Sequence, residues 1–176
     1  MSLPSRSQLP WYALSVKHHH EKTVARALEG RGLENYLPLY RSFHRSGGRM
    51  QPVMLPIFPC YVFCKFDISN RLPVLTIPGV GSIVCIGHAP APISESELAN
   101  VETMIRSDLS LSPHEELSPD QEVYIERGPL QGIYGTLVES QANYRLLVSI
   151  PLLQRAVSAE IDRDWARPVG TKVRAA

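Results

Sequence analysis

The most apolar short run of the chain lies between Pro56 and Phe66 and reads PIFPCYVFCKF. Its length and its boundaries, prolines before it and Asp67 after it, are typical of a strand. Successive side chains of a strand point to opposite faces, so we expect a core face and an outward face. The core face would carry Cys60, Val62, Cys64 and Phe66, and the outward face would carry Tyr61, Phe63 and Lys65. Two aromatics beside a lysine indicate a docking surface, and burial of both under a second layer is the alternative.

The pattern on either side predicts a mixed α+β domain. Residues 11–17 alternate as a strand, residues 18–31 have helical spacing, and residues 36–45 and 49–55 form a hairpin around the turn Ser46, Gly47 and Gly48. A strand at 82–86 precedes a helix that opens with a capping box of Ser94 and Glu97. We therefore predict an N-terminal mixed sheet flanked by helices.

The C-terminal part of the chain has a different pattern. Residues 107–119 are rich in serine, proline and acid, which indicates a flexible linker. Five short strands follow, at 122–126, 134–139, 145–150, 156–161 and 165–169, with no room for a helix. We predict a closed, SH3-like, five-stranded β-barrel. The expected organisation is a loose arm at 1–10, a first domain at 11–106, the linker, a second domain at 120–170 and a tail at 171–176.

Composition narrows the range of functions. A net charge of +1 excludes bulk electrostatic coating of nucleic acid, so such binding would need a local cluster. Three cysteines without a framework spacing, and no long apolar run, predict a cytoplasmic protein that does not enter a membrane. We also expect a monomer. The histidines at 18–20 resemble metal ligands, but no cysteine or carboxylate cluster completes them in the sequence. We expect no metal, no cofactor and no catalytic site, because no nucleophile with its base is evident.

Residues Gly128 to Gly135, which read GPLQGIYG, resemble the KOW motif, with Leu130 placed to enter the second domain's core. Together with Trp11-Tyr12 and the run from Phe58 to Phe63, in this order, they make the chain resemble the NusG family of transcription elongation factors, with features of its specialised RfaH-like paralogues. The resemblance implies a first domain that binds the clamp helices of RNA polymerase. It also implies a KOW domain that recruits a further partner, such as a ribosomal protein or a termination factor.

The resemblance assigns roles to particular residues. The polymerase-binding patch maps to Tyr61, Phe63, Ile86 and Leu98, and the partner-binding loop of the KOW domain maps to Leu152, Leu153 and Arg155. Arginines around the hairpin are candidates for contact with non-template or upstream DNA, and a solvated loop is the equally weighted alternative. These candidates are Arg41, Arg45, Arg49 and, more weakly, Arg71.

A KOW-type RNA-binding or ribosome-associated protein is the alternative function. It would require a basic barrel surface with stacking aromatics. The barrel region instead carries several acids, which favour the transcription factor: Glu122, Glu126, Glu139, Glu160, Asp162 and Asp164.

Overall fold

The computed structural model describes residues 9–114, 121–140 and 143–169. The predicted tail, almost all of the predicted arm and the end of the predicted linker lie outside these residues. The chain divides into two compact units between Leu98 and Ala99. In the described part of the chain, no helix is long and apolar enough to cross a membrane.

The first unit contains a central sheet and two separate two-stranded ladders. Its elements are β1 (Trp11–Val16), α1 (Glu21–Gly30), β2 (Asn35–Tyr36), β3 (Leu39–Ser46), β4 (Arg49–Pro56), β5 (Tyr61–Lys65), α2 (Leu72–Leu75), β6 (Val80–Ile83), β7 (Cys85–Ile86), β8 (Ala89–Pro90) and β9 (Pro92–Ile93). The central sheet has the order β2-β5-β1-β6, with β9 also paired to β1, and all its ladders are antiparallel. The strand that dominates the sequence, β5, is therefore an interior strand.

One face of the central sheet is the core of the first unit. Val62, Cys64 and Phe66 lie on it as predicted, and all are at most 2% exposed. They pack with apolar residues of α1 and of the segment around α2: Val24, Leu28, Val74 and Ile77. The alternation predicted for β5 is therefore confirmed on this face for the residues within the strand.

Two local predictions in the first unit need correction. Cys60 is not a core strand residue, because it is half-buried in the turn before β5, with φ of +68°. The helix predicted from residue 18 begins only at Glu21, since His19 has φ of +63° and cannot continue a helix. In both places a residue with positive φ lies in the turn that precedes the regular element.

The helix α3 (Glu95–Arg106) opens with the predicted capping box. The backbone N–H of Glu97 donates to the Ser94 hydroxyl at 3.2 Å, and the Glu97 carboxylate accepts from the Ser94 backbone N–H at 3.0 Å. Leu98, Val101 and Met104 are buried along one stripe, as helical spacing requires.

The second unit contains a six-stranded antiparallel sheet. Its strands are β10 (Leu111–His114), β11 (Gln121–Ile125), β12 (Tyr134–Ser140), β13 (Asn143–Ile150), β14 (Arg155–Ile161) and β15 (Ala166–Pro168), in the order β10-β14-β13-β12-β11-β15. All five predicted strands are present, and the additional strand β10 lies within the predicted linker. Among the described residues the sheet does not close, because β10 and β15 are its two edges, whereas the sequence predicted a closed barrel.

The segment from Gly128 to Gly135, which resembles the KOW motif, lies mostly in the turn between β11 and β12. Gly128 and Gly132 have φ of +85° and +93°, and the N–H of Gly132 donates to the carbonyl of Ile125 at 2.9 Å. Leu130 is completely buried, as the sequence predicted. The glycines thus allow a tight loop that returns an apolar side chain to the core.

Candidate functional site

The second face of the central sheet contains the outward residues predicted for β5. Strand register places Tyr61 beside Ser15 of β1, and Ser15 beside Ser82 of β6. Directly opposed residues share a face, so these three side chains form a row across the sheet. Tyr61 and Ser15 are half-buried and Ser82 is exposed. The small serines leave the tyrosine ring accessible at this end of the sheet.

Phe63 lies in the next row and is completely buried, so the prediction that its side chain is exposed is wrong. Its ring meets Phe58 edge to face, with the centroids 5.9 Å apart, and stacks with Tyr36 of β2 at 6.4 Å. Its β1 neighbour, Ala13, is also completely buried. An interior strand has neighbours on both sides, and here both of its faces are covered at the centre.

The far end of the same face is closed by a charged group. Lys65 forms ion pairs with Glu95 at 2.8 Å and Glu34 at 3.5 Å, and its ammonium lies 5.0 Å from the ring centroid of its register partner Trp11. The hydrogen bond to Glu95 raises the pKa of Lys65, against the opposing effect of partial desolvation. The accessible part of this face is therefore the end that carries Tyr61.

The other two predicted polymerase-binding residues differ in exposure. Ile86 stands near the tip of the β7–β8 hairpin and is 71% exposed. Leu98 is 5% exposed on the buried stripe of α3, so direct contact by this side chain is not available in this structure. Of the four predicted residues, Tyr61 and Ile86 are accessible and Phe63 and Leu98 are not.

The arginines predicted to contact DNA lie mainly on a ribbon formed by β3 and β4. Register places Arg41 and Arg45 on the same face, opposite Met54 and Met50 respectively, while Arg49 lies on the other face. All three arginines are exposed, and the ribbon from Leu39 to Pro56 contains no acidic residue. Its base is fixed by the Lys22 ammonium, which donates to the Met54 carbonyl at 2.7 Å.

The apolar residues of this ribbon were not among the residues predicted from the sequence. Phe43, Met50 and Met54 are 57%, 62% and 44% exposed, on the same face as Arg41 and Arg45. The Arg41 guanidinium lies 5.5 Å from the Phe43 ring centroid. Alternation along 39–46 could have revealed this arrangement, since Arg41, Phe43 and Arg45 are two residues apart.

Arg71 is exposed but lies outside the ribbon, at the start of α2. Its neighbour Leu72 is 69% exposed. The structure therefore groups Arg41 and Arg45 on one face, with Arg49 on the opposite face of the same ribbon, and leaves Arg71 separate.

The predicted partner-binding loop of the second unit is a 3-10 turn, Pro151–Leu153, followed by Gln154 with φ of +50°. Leu153 is 6% exposed and anchors the turn in the core, whereas Leu152 and Arg155 are half-buried. The turn thus presents Leu152 and Arg155 on either side of a buried anchor. Tyr134 was not among the predicted site residues; it is 57% exposed, and its ring centroid lies 4.9 Å from that of Tyr124.

One of the three histidines before α1, His18, lies close to two other side chains that can bind a metal, which the sequence did not indicate. His18 lies near Glu21 and Cys60, and their ligand atoms are all within 4.8 Å of one another. Cys60 is 42 residues away from His18 in the sequence, so spacing could not reveal this group.

Comparison with known proteins relates this chain to transcription termination and antitermination factors of the NusG family. The family described as "NusG: Transcription termination factor nusG" matches residues 9–102 of this chain. The "Transcription termination/antitermination protein NusG" of Rickettsia felis is 24% identical over 130 residues, which cover 72% of this chain and 68% of the relative. A structure described as "Domain interaction in Thermotoga maritima NusG" has 17% identity and a TM-score of 0.57, and the match covers 94% of this chain and 100% of the other.

The chain belongs to the NusG family of transcription termination and antitermination factors. The family consists of transcription factors without enzymatic activity, and no enzyme family is indicated. The fold is NusG-like in its arrangement of a central sheet with few helices.

Proposed function

We propose that this chain is a transcription elongation factor of the antitermination type, which binds the clamp helices of RNA polymerase through its first unit. The observation that carries the proposal is the family match over residues 9–102, which spans the central sheet, the ribbon and most of α3. The accessible aromatic end of the sheet lies within this range. A partly buried tyrosine side chain is a common anchor at protein interfaces.

Within this proposal, the predicted polymerase-binding residues have different roles. Tyr61 and Ile86 contact polymerase, since both are accessible. Phe63 and Leu98 support the surface from inside, since both are buried. The rows of the sheet suggest this division: Tyr61 has small neighbours in its own row, and Phe63 is enclosed in the next one.

Binding of the full chain to purified core RNA polymerase tests the docking surface. Tyr61→Ser and Ile86→Ser should each weaken binding at least tenfold, because an interface anchor contributes about 2 kcal/mol or more. Leu72→Ser is the matched control, since Leu72 is as exposed as Ile86 but lies at α2. Circular dichroism would verify folding. Unchanged binding by both folded variants would place the docking site elsewhere.

The ribbon of β3 and β4 is proposed to touch exposed single-stranded DNA in the elongation complex. Arginines attract phosphates, and an exposed aromatic between two of them can stack on a base. Arg41, Phe43 and Arg45 provide this combination on one face, and Arg49 adds charge at the tip. Arg71 stays a separate and weaker candidate.

The salt dependence of binding to elongation complexes tests the ribbon. Arg45→Ala with Arg49→Ala should reduce the slope of log K against log salt by about 1.4, since each single-strand phosphate contact contributes about 0.7. Binding to polymerase without nucleic acid should not change. Arg26→Ala with Arg31→Ala, on or next to α1, is the control pair. An unaltered slope in the ribbon variant would mean that the arginines are only solvated.

The second unit is proposed to recruit a further protein through the turn at Leu152, Leu153 and Arg155, with a ribosomal protein or a termination factor as the candidate. The buried Leu153 fixes the turn, and Leu152 lies beside it with part of its apolar surface accessible. Leu152→Ser should abolish capture of the purified partner, whereas Arg167→Ala on β15 should not. Tight binding of free RNA without affinity for polymerase would favour the alternative of an RNA-binding KOW protein.

A further inference from the structure

The turn before β5 brings three different metal-binding groups together. His18 comes from the connection between β1 and α1, Glu21 is the first residue of α1, and Cys60 immediately precedes β5. Their nitrogen, oxygen and sulfur atoms all lie within 4.8 Å of one another. From this arrangement we propose that His18, Glu21 and Cys60 form a binding site for a borderline-soft divalent cation, with zinc as the fitting ion.

The distances suit zinc. The Nδ1 atom of His18 lies 3.5 Å from the Sγ atom of Cys60. Zinc bonds of about 2.05 Å to histidine and about 2.3 Å to cysteine, at a tetrahedral angle, place these two atoms about 3.5 Å apart. The two side chains therefore already have the separation that a shared zinc ion requires, and a carboxylate oxygen of Glu21 lies within 4.8 Å of both.

The carboxylate is held in place by the same turn. Glu21 is 4% exposed, and its Oε1 accepts a hydrogen bond from the backbone N–H of Cys60 at 2.8 Å. A buried carboxylate is costly unless a positive charge balances it, and the amide donor is neutral. A divalent cation between the carboxylate and a thiolate would supply that charge.

The backbone around the site is also unusual. Cys60 has φ of +68°, a conformation that glycine adopts without cost and that other residues seldom adopt. Such residues cluster at functional sites. His20 Nδ1 lies 3.1 Å from the His18 carbonyl oxygen, and the ring centroids of His18 and His19 lie 3.8 Å apart with their planes tilted by 48°. Three protein ligands leave a fourth tetrahedral position for water.

The donor set favours zinc over other ions. Magnesium and calcium prefer oxygen ligands, and only one of the three groups here supplies oxygen.

Cobalt(II) titration of the reduced, chelator-treated full chain is the direct test. We expect one equivalent to bind, with the charge-transfer band of a cobalt thiolate, and zinc to displace it. Zinc at a hundredfold excess over its Kd should raise the thermal midpoint by roughly 10 °C. Absence of a thiolate band in the wild-type chain, or absence of stoichiometric binding, would overturn the proposal.

Two variants remove one zinc ligand each while preserving the backbone conformation and hydrogen bond of the turn, so that loss of zinc binding is not caused by misfolding. Cys60→Gly suits the positive φ and removes the sulfur ligand, while Glu21→Gln keeps an acceptor for the Cys60 amide and removes the charge. Each should weaken zinc binding at least tenfold, and Cys60→Gly should lose the thiolate band. Cys85→Ser, which changes an exposed cysteine outside the group, is the control. If Cys60→Gly binds zinc as tightly as the wild type, the metal is held by the surface histidines alone and the proposed site is wrong.

Discussion

Replacing Phe63 with alanine should destabilise the first unit severely. The side chain is completely buried and packs between the rings of Phe58 and Tyr36. A buried Phe→Ala change costs about 3 to 5 kcal/mol, through lost transfer free energy and the cavity that remains. Domains are stable by only about 5 to 15 kcal/mol, so the thermal midpoint of this unit should fall by about 15 °C or more.

Tyr61→Ala is the matched comparison, because Tyr61 lies on the same strand and the same face but is only half-buried. It should cost about 1 kcal/mol. Urea unfolding of both variants, followed by near-ultraviolet circular dichroism, would measure the difference. If Phe63→Ala costs less than about 1 kcal/mol, or no more than Tyr61→Ala, then the centre of this face is not closed and the division of roles between the two residues fails.

Three further measurements address local features. Burial raises the pKa of the Cys64 thiol from 9.0 to about 12, with a smaller contribution from a nearby carboxylate. The folded chain thus keeps a proton that the unfolded chain loses, so stability should fall as the pH rises from 9 towards 12. Urea midpoints should show this slope flattened in Cys64→Ala and retained in Cys85→Ala. Gly135→Ala should destabilise the second unit by about 2 kcal/mol or more, since the added Cβ would lie 2.6 Å from a carbonyl oxygen of β13. A urea midpoint equal to that of the wild type would contradict this. Ser94→Ala should cost about 1 kcal/mol through the lost helix cap, whereas Ser94→Asp should not.

The faces of β5 could be predicted because alternation is a property of the strand itself. Val62 and Cys64 share one face and Tyr61 and Phe63 share the other, as the sequence indicated. The exposure of a face depends instead on what covers it, and that is set by tertiary contacts. Alternation could therefore assign Phe63 and Val62 to opposite faces of the strand, but it could not show that both side chains are buried.

Strand β10 was missed for a related reason. Its residues, Leu111 to His114, have a polar composition that includes Pro113. An edge strand is held by backbone pairing with a single neighbour, which needs no apolar alternation and tolerates proline. Here the pairing with β14 is supported by a 2.7 Å hydrogen bond between the hydroxyls of Ser112 and Ser158. Such a partner 46 residues away is invisible in a local pattern.

Backbone conformation explains why the candidate sites were the hardest part to predict. His19, Cys60 and Gln154 all adopt positive φ, and periodicity gives no sign of it. Each of them lies in a turn between regular elements, so that neighbouring side chains point in directions that strand or helix spacing would not give. At Cys60 the turn moves the thiol from the predicted core face to His18, and at Gln154 it separates Leu153 from Arg155. A positive φ at a residue other than glycine costs about 1 to 3 kcal/mol of stability, and such residues cluster at functional sites. The turns at Cys60 and Gln154 are therefore candidates for a functional as well as a structural role.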